Sequence, residues 1–197
     1  MNKKVEEPQD HASEHRSTRE IPKDELRKIL EAHKKWILSD RKIGERADLL
    51  GANLQEADLF GANLQKADLL GANLQGADLR GANLQEADLF GAKLQEADLR
   101  GASLQGAYLR EAKLQGADLF GAKLQEADLG FANLQGAYLR EAEGLTASQV
   151  KKAKNWQLAF YGGDFIKKLG LPPDHNETVK KKLAELEKEK KATGAKP

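Results

Sequence analysis

The chain has no cysteine, so it has neither a disulfide framework nor thiol chemistry. Its opening stretch, MNKKVEEPQDHASEHRSTRE, lacks the apolar core of a secretory signal. No apolar run approaches the length of a membrane-spanning helix. These absences lead us to expect a cytoplasmic location and no membrane partner. The middle of the chain also lacks the groups that usually carry chemistry. Residues 47–141 contain no histidine, and Ser103 is their one serine. Their glycines recur singly, as at Gly51, Gly61 and Gly71, and do not form a phosphate-cradling loop. Catalysis needs a nucleophile, base or metal cluster held in a cleft. The expectation is therefore a non-enzymatic protein with no cofactor and no metal.

What is present is a strict period. A Leu stands at every fifth residue from Leu49 to Leu139, with an Ala two residues before each. Nineteen consecutive units of the form Ala-x-Leu-x-x cover residues 47–141. Short strict repeats mark solenoids, in which each unit stacks on copies of itself. Residues two apart in an extended segment face the same side. Ala47 and Leu49 can thus point inward while Asp48 points out. The last two residues of each unit must then turn a corner. Burying one Leu is worth roughly 1.5–3 kcal/mol, so the repeats can build a long aliphatic core.

The units alternate in type. One reads Ala-Asp-Leu-(Leu/Phe/Arg)-Gly, as at 57–61, and the other Ala-Asn-Leu-Gln-(Glu/Lys/Gly), as at 52–56. Gln follows Leu every ten residues from Gln55 to Gln135. Stacked rows stay chemically uniform only if a turn holds an even number of units, which favours four sides over three. Residues 87–116 and 117–146 match at 23 of 30 positions. That span is one and a half four-sided turns, so it reads as duplication history.

The run ADLFGANLQKADLLGANLQGADLRGANLQ resembles the pentapeptide repeat family. The segments HKKWILSDRKIGERADL and GLTASQVKKAKNWQLAFY resemble its common lead-in and lead-out. The resemblance implies an all-β solenoid, a right-handed quadrilateral β-helix. With it we expect α-helical N- and C-terminal caps. The expected organisation is a disordered tail over 1–20, a helical cap over 21–43, the β-helix over 44–143, and a helical cap and tail over 144–197.

In the flanks, the helical expectation runs from Pro22 to Ser39, with Leu26, Ile29, Leu30, His33 and Ile37 on one face. That face and Trp36 are expected to cover the first turn. His11 and His15 lie in the polar tail and are not read as metal ligands, and His33 is read as a cap-interface residue. A capping box at Thr146–Gln149 predicts a helix to about Tyr161, with Val150, Ala153, Trp156 and Phe160 inward. A helical turn is expected over Asp164–Leu169. A second box at Asp174–Glu177 opens a helix to about Lys191, with Val179, Leu183 and Leu186 on one stripe.

With twenty residues per turn, one side carries Leu50, Leu70 and Phe90 after its Leu, then Arg110 and Gly130. These three apolar residues form the candidate interaction surface. The opposite side carries Phe60, Arg80, Arg100, Phe120 and Arg140. The unit 127–131 ends Gly-Phe where its relatives end Phe-Gly. Phe131 is therefore expected to be buried as the docking point for the C-terminal segment, through Trp156, Phe160 or Phe165.

Residues 47–141 hold eight basic and fourteen acidic groups, against twenty-four and seventeen in the flanks. The solenoid is thus at −6 and its flanks at +7. Two functions fit. The first is a structural or interaction module with a protein partner and no nucleic acid, as a monomer or cap-mediated homodimer. The second comes by resemblance: a mimic of duplex DNA that binds gyrase, a type II topoisomerase. Such a mimic needs dense continuous negative charge. Here the Asp rows are broken by Tyr108 and Tyr138 and flanked by Arg80, Arg100 and Arg140, and the rod is short, at ~23 Å.

Overall fold

In the computed structural model, which describes residues 19–193, the repeats form a parallel coil with twenty residues per turn. Backbone bridges join Asp48 to Asp68, Asp68 to Asp88, Asn63 to Asn83 and so on in steps of twenty. Each step uses two bonds. The Leu49 N–H donates to Asp68 O at 2.8 Å and the Asp68 N–H to Ala47 O at 2.9 Å. A turn therefore has four five-residue sides. Side A holds Asp48 and Asp68, side B Asn53 and Asn73, side C Asp58 and Asp78, and side D Asn63 and Asn83.

The corners follow from local chemistry. The Ala52 N–H closes a turn onto Leu49 O at 3.0 Å, and the fifth residue of each unit is left-handed, as at Gly51 and Glu56. Asp and Asn stabilise the corner by accepting from the N–H two residues ahead, as Asp58 does from Phe60 at 3.1 Å. Asx turns of this kind suit both residue types. The inward Ala and Leu of nearly every unit are buried. Ala57 and Ala62, in the first turn, are half-buried.

The flanks depart from the sequence expectation in several places. Residues 1–18, including His11 and His15, lie outside the described residues. Arg19–Glu20 do not belong to a tail: they form a short strand, β1, parallel to β2 (Ala52–Asn53). That pairing covers an edge of the first turn. Helix α1 spans Lys23–Leu38. Its Leu26, Ile29 and Leu30 pack against the core of the coil.

At the other end, the helix expected to run to Tyr161 stops early. Thr146 and Gln149 do form the capping box, but α2 covers only Ala147–Lys151. The chain then rejoins the coil. Lys154 bridges Asn133 and Phe160 bridges Tyr138. A 3-10 turn, Trp156–Leu158, rounds the corner. The helical reading failed because unpaired strand edges on the last repeat turn bind backbone more strongly than a marginal amphipathic pattern holds a helix.

Helix α3 spans Gly163–Leu169 and ends at left-handed Gly170. Helix α4 spans His175–Thr193. The expected reciprocal box at its start does not form; the Glu177 carboxylate accepts from Lys180 Nζ at 2.8 Å instead. Val179 is buried, and Leu183 and Leu186 face side B of the coil.

Candidate functional surface

Side A places Leu50, Leu70 and Phe90 in one row, 37%, 38% and 38% exposed. Each follows an Asp that accepts its backbone N–H: Asp48 at 3.2 Å, Asp68 at 3.2 Å and Asp88 at 3.0 Å. Those carboxylates are spent on the corners that hold the apolar side chains outward.

The row ends differently from its beginning. Arg110 follows Phe90 in the stack, and its guanidinium lies 5.3 Å from the Phe131 ring centroid. It also faces Asp128 at 3.9 Å. A Cβ on Gly130 would meet Arg110 Nη1 at 3.0 Å, so glycine there makes room for the guanidinium.

Phe131 itself is 52% exposed. The expectation of a buried docking point is therefore wrong. Its N–H donates to Lys152 O at 3.0 Å, so the backbone joins the C-terminal segment while the ring does not. A left-handed residue projects its side chain from the corner, away from the core, and Phe131 has φ 59°. Below it, a groove of about 890 Å³ is lined by Arg110, Leu129, Phe131, Thr146, Gln149 and Lys152.

The other named aromatics divide. Trp156 and Phe165 are half-buried against the core. Phe160 is buried and stacks on Tyr138, ring centroids 4.7 Å apart. Trp36 is half-buried; it stacks on His33 at 5.6 Å and lies under Arg41 at 5.6 Å. His33 also reaches the coil: it is fully buried, and its Nδ1 accepts from the Ala47 N–H at 3.1 Å. Burial is the main cause that pushes its pKa below the ordinary 6.5, with the Arg46 charge adding to it. The neutral ring then carries its proton on Nε2, which faces the Gln65 backbone without completing a hydrogen bond.

Side C carries an ion-pair ladder. Arg80 binds Asp78 at 2.6 Å and faces Asp98 at 3.6 Å; Arg100 binds Asp98 at 2.5 Å and faces Asp118 at 3.7 Å. The Arg80 hydrogen bond holds the Asp78 carboxyl down at about 2. Two arginines against Asp58, Asp78, Asp98 and Asp118 halve the charge of that acidic row. Among the described residues, no group of three or more His, Asp or Glu is placed to hold a metal ion. No described helix is long and apolar enough to cross a membrane.

A coil of five-residue sides with inward Ala and Leu is a solenoid of the β-helix class. The family model for pentapeptide repeats matches it in eight copies, over residues 45–72, 67–106, 87–125 and 102–140. The chain belongs to the pentapeptide repeat family, whose fold is a right-handed β-helix.

Among solved structures, the chain is 33% identical to a pentapeptide repeat protein from the Arabidopsis thaliana thylakoid lumen, over 46% of this chain and 67% of that one, with a TM-score of 0.40. It is 42% identical to HetL, involved in heterocyst differentiation regulation in Nostoc sp. strain PCC 7120, over 50% of this chain and 57% of that one, with a TM-score of 0.30. It is 26% identical to trypsin-treated QnrB1, a plasmid-mediated fluoroquinolone resistance protein, over 68% of this chain and 74% of that one, with a TM-score of 0.37. The kinship rests on repeats and identity, not on superposition. No curated protein is similar enough to count as a match.

Proposed function

We propose that the protein is a non-enzymatic scaffold whose side A docks a protein partner in the cytoplasm. The supporting observation is the row of Leu50, Leu70 and Phe90, three stacked apolar side chains each more than a third exposed. Contiguous exposed apolar surface marks interaction sites. In this reading α1 caps one end of the coil and the segment after Glu143 caps the other. The protein is a monomer or a cap-mediated homodimer, without cofactor, nucleic acid or membrane.

A second reading is a DNA mimic that binds a type II topoisomerase. The likeness to a fluoroquinolone resistance protein favours it. The paired ladder on side C argues against it, because Arg80 and Arg100 halve and interrupt the negative charge that a mimic needs.

One experiment separates the two. A photo-cross-linking residue at position 70 captures a specific partner in cells, and Leu50→Lys with Phe90→Lys abolishes capture. Phe60→Lys on side C leaves it intact. Capture that survives the side A charges, or gyrase protection by the purified protein in a supercoiling assay, overturns the scaffold reading.

A further inference from the structure

Sides B and D depart from their own pattern in the middle of the rod. At Asn53, Asn63, Asn73, Asn83 and Asn133, the side chain accepts from the N–H two residues ahead, at 3.1–3.4 Å. Lysine stands in this position at 93, 113 and 123. Lysine has no acceptor, so each of those corners loses its Asx bond. The glutamines that follow, Gln95, Gln115 and Gln125, each have a buried Oε1 without a partner.

The three lysines are not equivalent. Lys123, on side D, bridges Glu143 across the ladder. Lys93 and Lys113, on side B, bridge each other. Their neighbours in the row are the neutral Asn73 and Asn133. Like charges directly opposite destabilise a sheet. Among the described residues, no ion pair includes either one.

A third lysine, from another element, lines the same cleft. Helix α4 lies beside side B, where Leu183 Cδ1 would touch a Cβ on Gly136 at 3.5 Å. Between helix and coil is a cleft of about 880 Å³ lined by Lys93, Lys113 and Lys190, with Glu96 and Glu187 also in its wall. Three ammonium groups against two carboxylates leave one positive charge in excess. That suits a compact oxyanion and is too little for a nucleic acid chain.

We propose that the cleft between α4 and side B binds a phosphoryl group through Lys93, Lys113 and Lys190. Two lysines that each give up a corner bond and then repel one another are stabilised together when a dianion lies between them. The phosphoryl group belongs either to a free phosphate or to a phosphorylated segment of a partner. The proposal is independent of the side A surface, which faces another direction of the coil.

The test uses the full chain at constant ionic strength, titrated with pyrophosphate and, in a second arm, with a phosphoserine peptide whose other residues are uncharged. Saturable binding is read by calorimetry and as a rise in the melting midpoint. Each lysine lost removes a charge-assisted hydrogen bond and is expected to weaken binding by at least about tenfold. Lys93→Asn with Lys113→Asn restores residues that the same row carries at 73 and 133, and so preserves the fold. That variant melts higher without anion and loses the anion response. Lys123→Asn, the control, keeps the response.

Response to pyrophosphate assigns the site to free anion, and response to the peptide alone assigns it to a phosphorylated partner. No saturable response in either arm overturns the proposal. So does an unchanged response in the double variant, or a double variant that melts lower without anion.

Discussion

The coil is built twice, once by repeats and once without them. From Ala47 to Glu141, five-residue units stack at a constant offset of twenty. From Ala142 to Tyr161 no repeat survives, yet the same ladder continues. Lys123 still pairs with Glu143 at an offset of twenty, but Asn133 pairs with Lys154 at twenty-one and Tyr138 with Phe160 at twenty-two. Helix α2 absorbs the first extra residue and the 3-10 turn at Trp156–Leu158 the second. Val150, Ala153, Ala159 and Tyr161 take the inward places that Ala and Leu hold in the repeats. The periodic sequence specifies register at every position. The aperiodic turn inherits its register from the edge below it and fills the interior with whatever apolar residue fits.

The strongest test of that dependence is removal of the aperiodic turn. A chain ending at Glu143 leaves Leu134, Gly136 and Leu139 without the carbonyls of Lys154, Leu158 and Phe160. Exposed strand edges recruit other chains, so end-to-end association is expected, read by light scattering across a dilution series. A truncated protein that stays monomeric with an unchanged melting midpoint breaks the comparison. Point changes sharpen it. Leu89 is fully buried between identical neighbours, and Leu89→Ala is expected to lower stability by about 2–5 kcal/mol. Val150 is also fully buried, but Val150→Ala removes two methyl groups, about 1.6 kcal/mol at ~0.8 each. Equal denaturation midpoints for these two variants contradict the ranking.

The repeat region was legible in the sequence because its rule is local. Ala and Leu two apart set the inward face, and alternating unit types set an even number of sides. The last turn was not legible, because its conformation depends on edges supplied by residues 132–139. Val150 and Ala153 read equally well as a helix face, and periodicity alone cannot separate the two. Arg19–Glu20 escaped for the same reason: nothing in two polar residues signals a strand until Ala52–Asn53 offers an edge. The row of Leu50, Leu70 and Phe90 was legible once twenty residues made a turn. The presence of Lys190 in the wall of the same cleft as Lys93 and Lys113 was not, because it depends on how α4 folds back. The signal that was available was the replacement of Asn by Lys at 93 and 113.

The N-terminal end of the rod offers a test of acid response. His33 takes part in closing the first turn through Ala47. Its folded pKa lies below the ordinary 6.5 because burial disfavours the imidazolium. The unfolded chain therefore binds a proton first as pH falls. The stability that His33 contributes is complete above about 6.5 and is lost progressively below it, through the folded pKa. Denaturation midpoints at pH 7.5 and 5.5, conditions about one unit either side of the ordinary histidine value, are expected to fall in the wild type. They fall less in His33→Gln, whose amide can still accept from Ala47. The same drop in both proteins assigns the acid sensitivity elsewhere.

The smallest effect is expected where the sequence suggested a large one. Phe131 occupies a left-handed corner that Gly fills in most related units. Its ring is 52% exposed and lies under Arg110. Phe131→Gly loses a cation–π contact worth about 0.5–1 kcal/mol at an exposed site. It also relieves a left-handed conformation that costs a non-glycine residue roughly 1–2 kcal/mol, while adding the chain entropy of glycine, roughly 0.5–1 kcal/mol. The three terms nearly cancel, so stability is expected to change by less than about 0.5 kcal/mol. Phe160→Ala, in the aperiodic turn, removes a buried ring stacked on Tyr138 and is expected to lower stability by about 3–5 kcal/mol. If chemical denaturation shows the Phe131 variant losing as much as the Phe160 variant, the ring at 131 is a lid after all and the exposed corner described here is wrong.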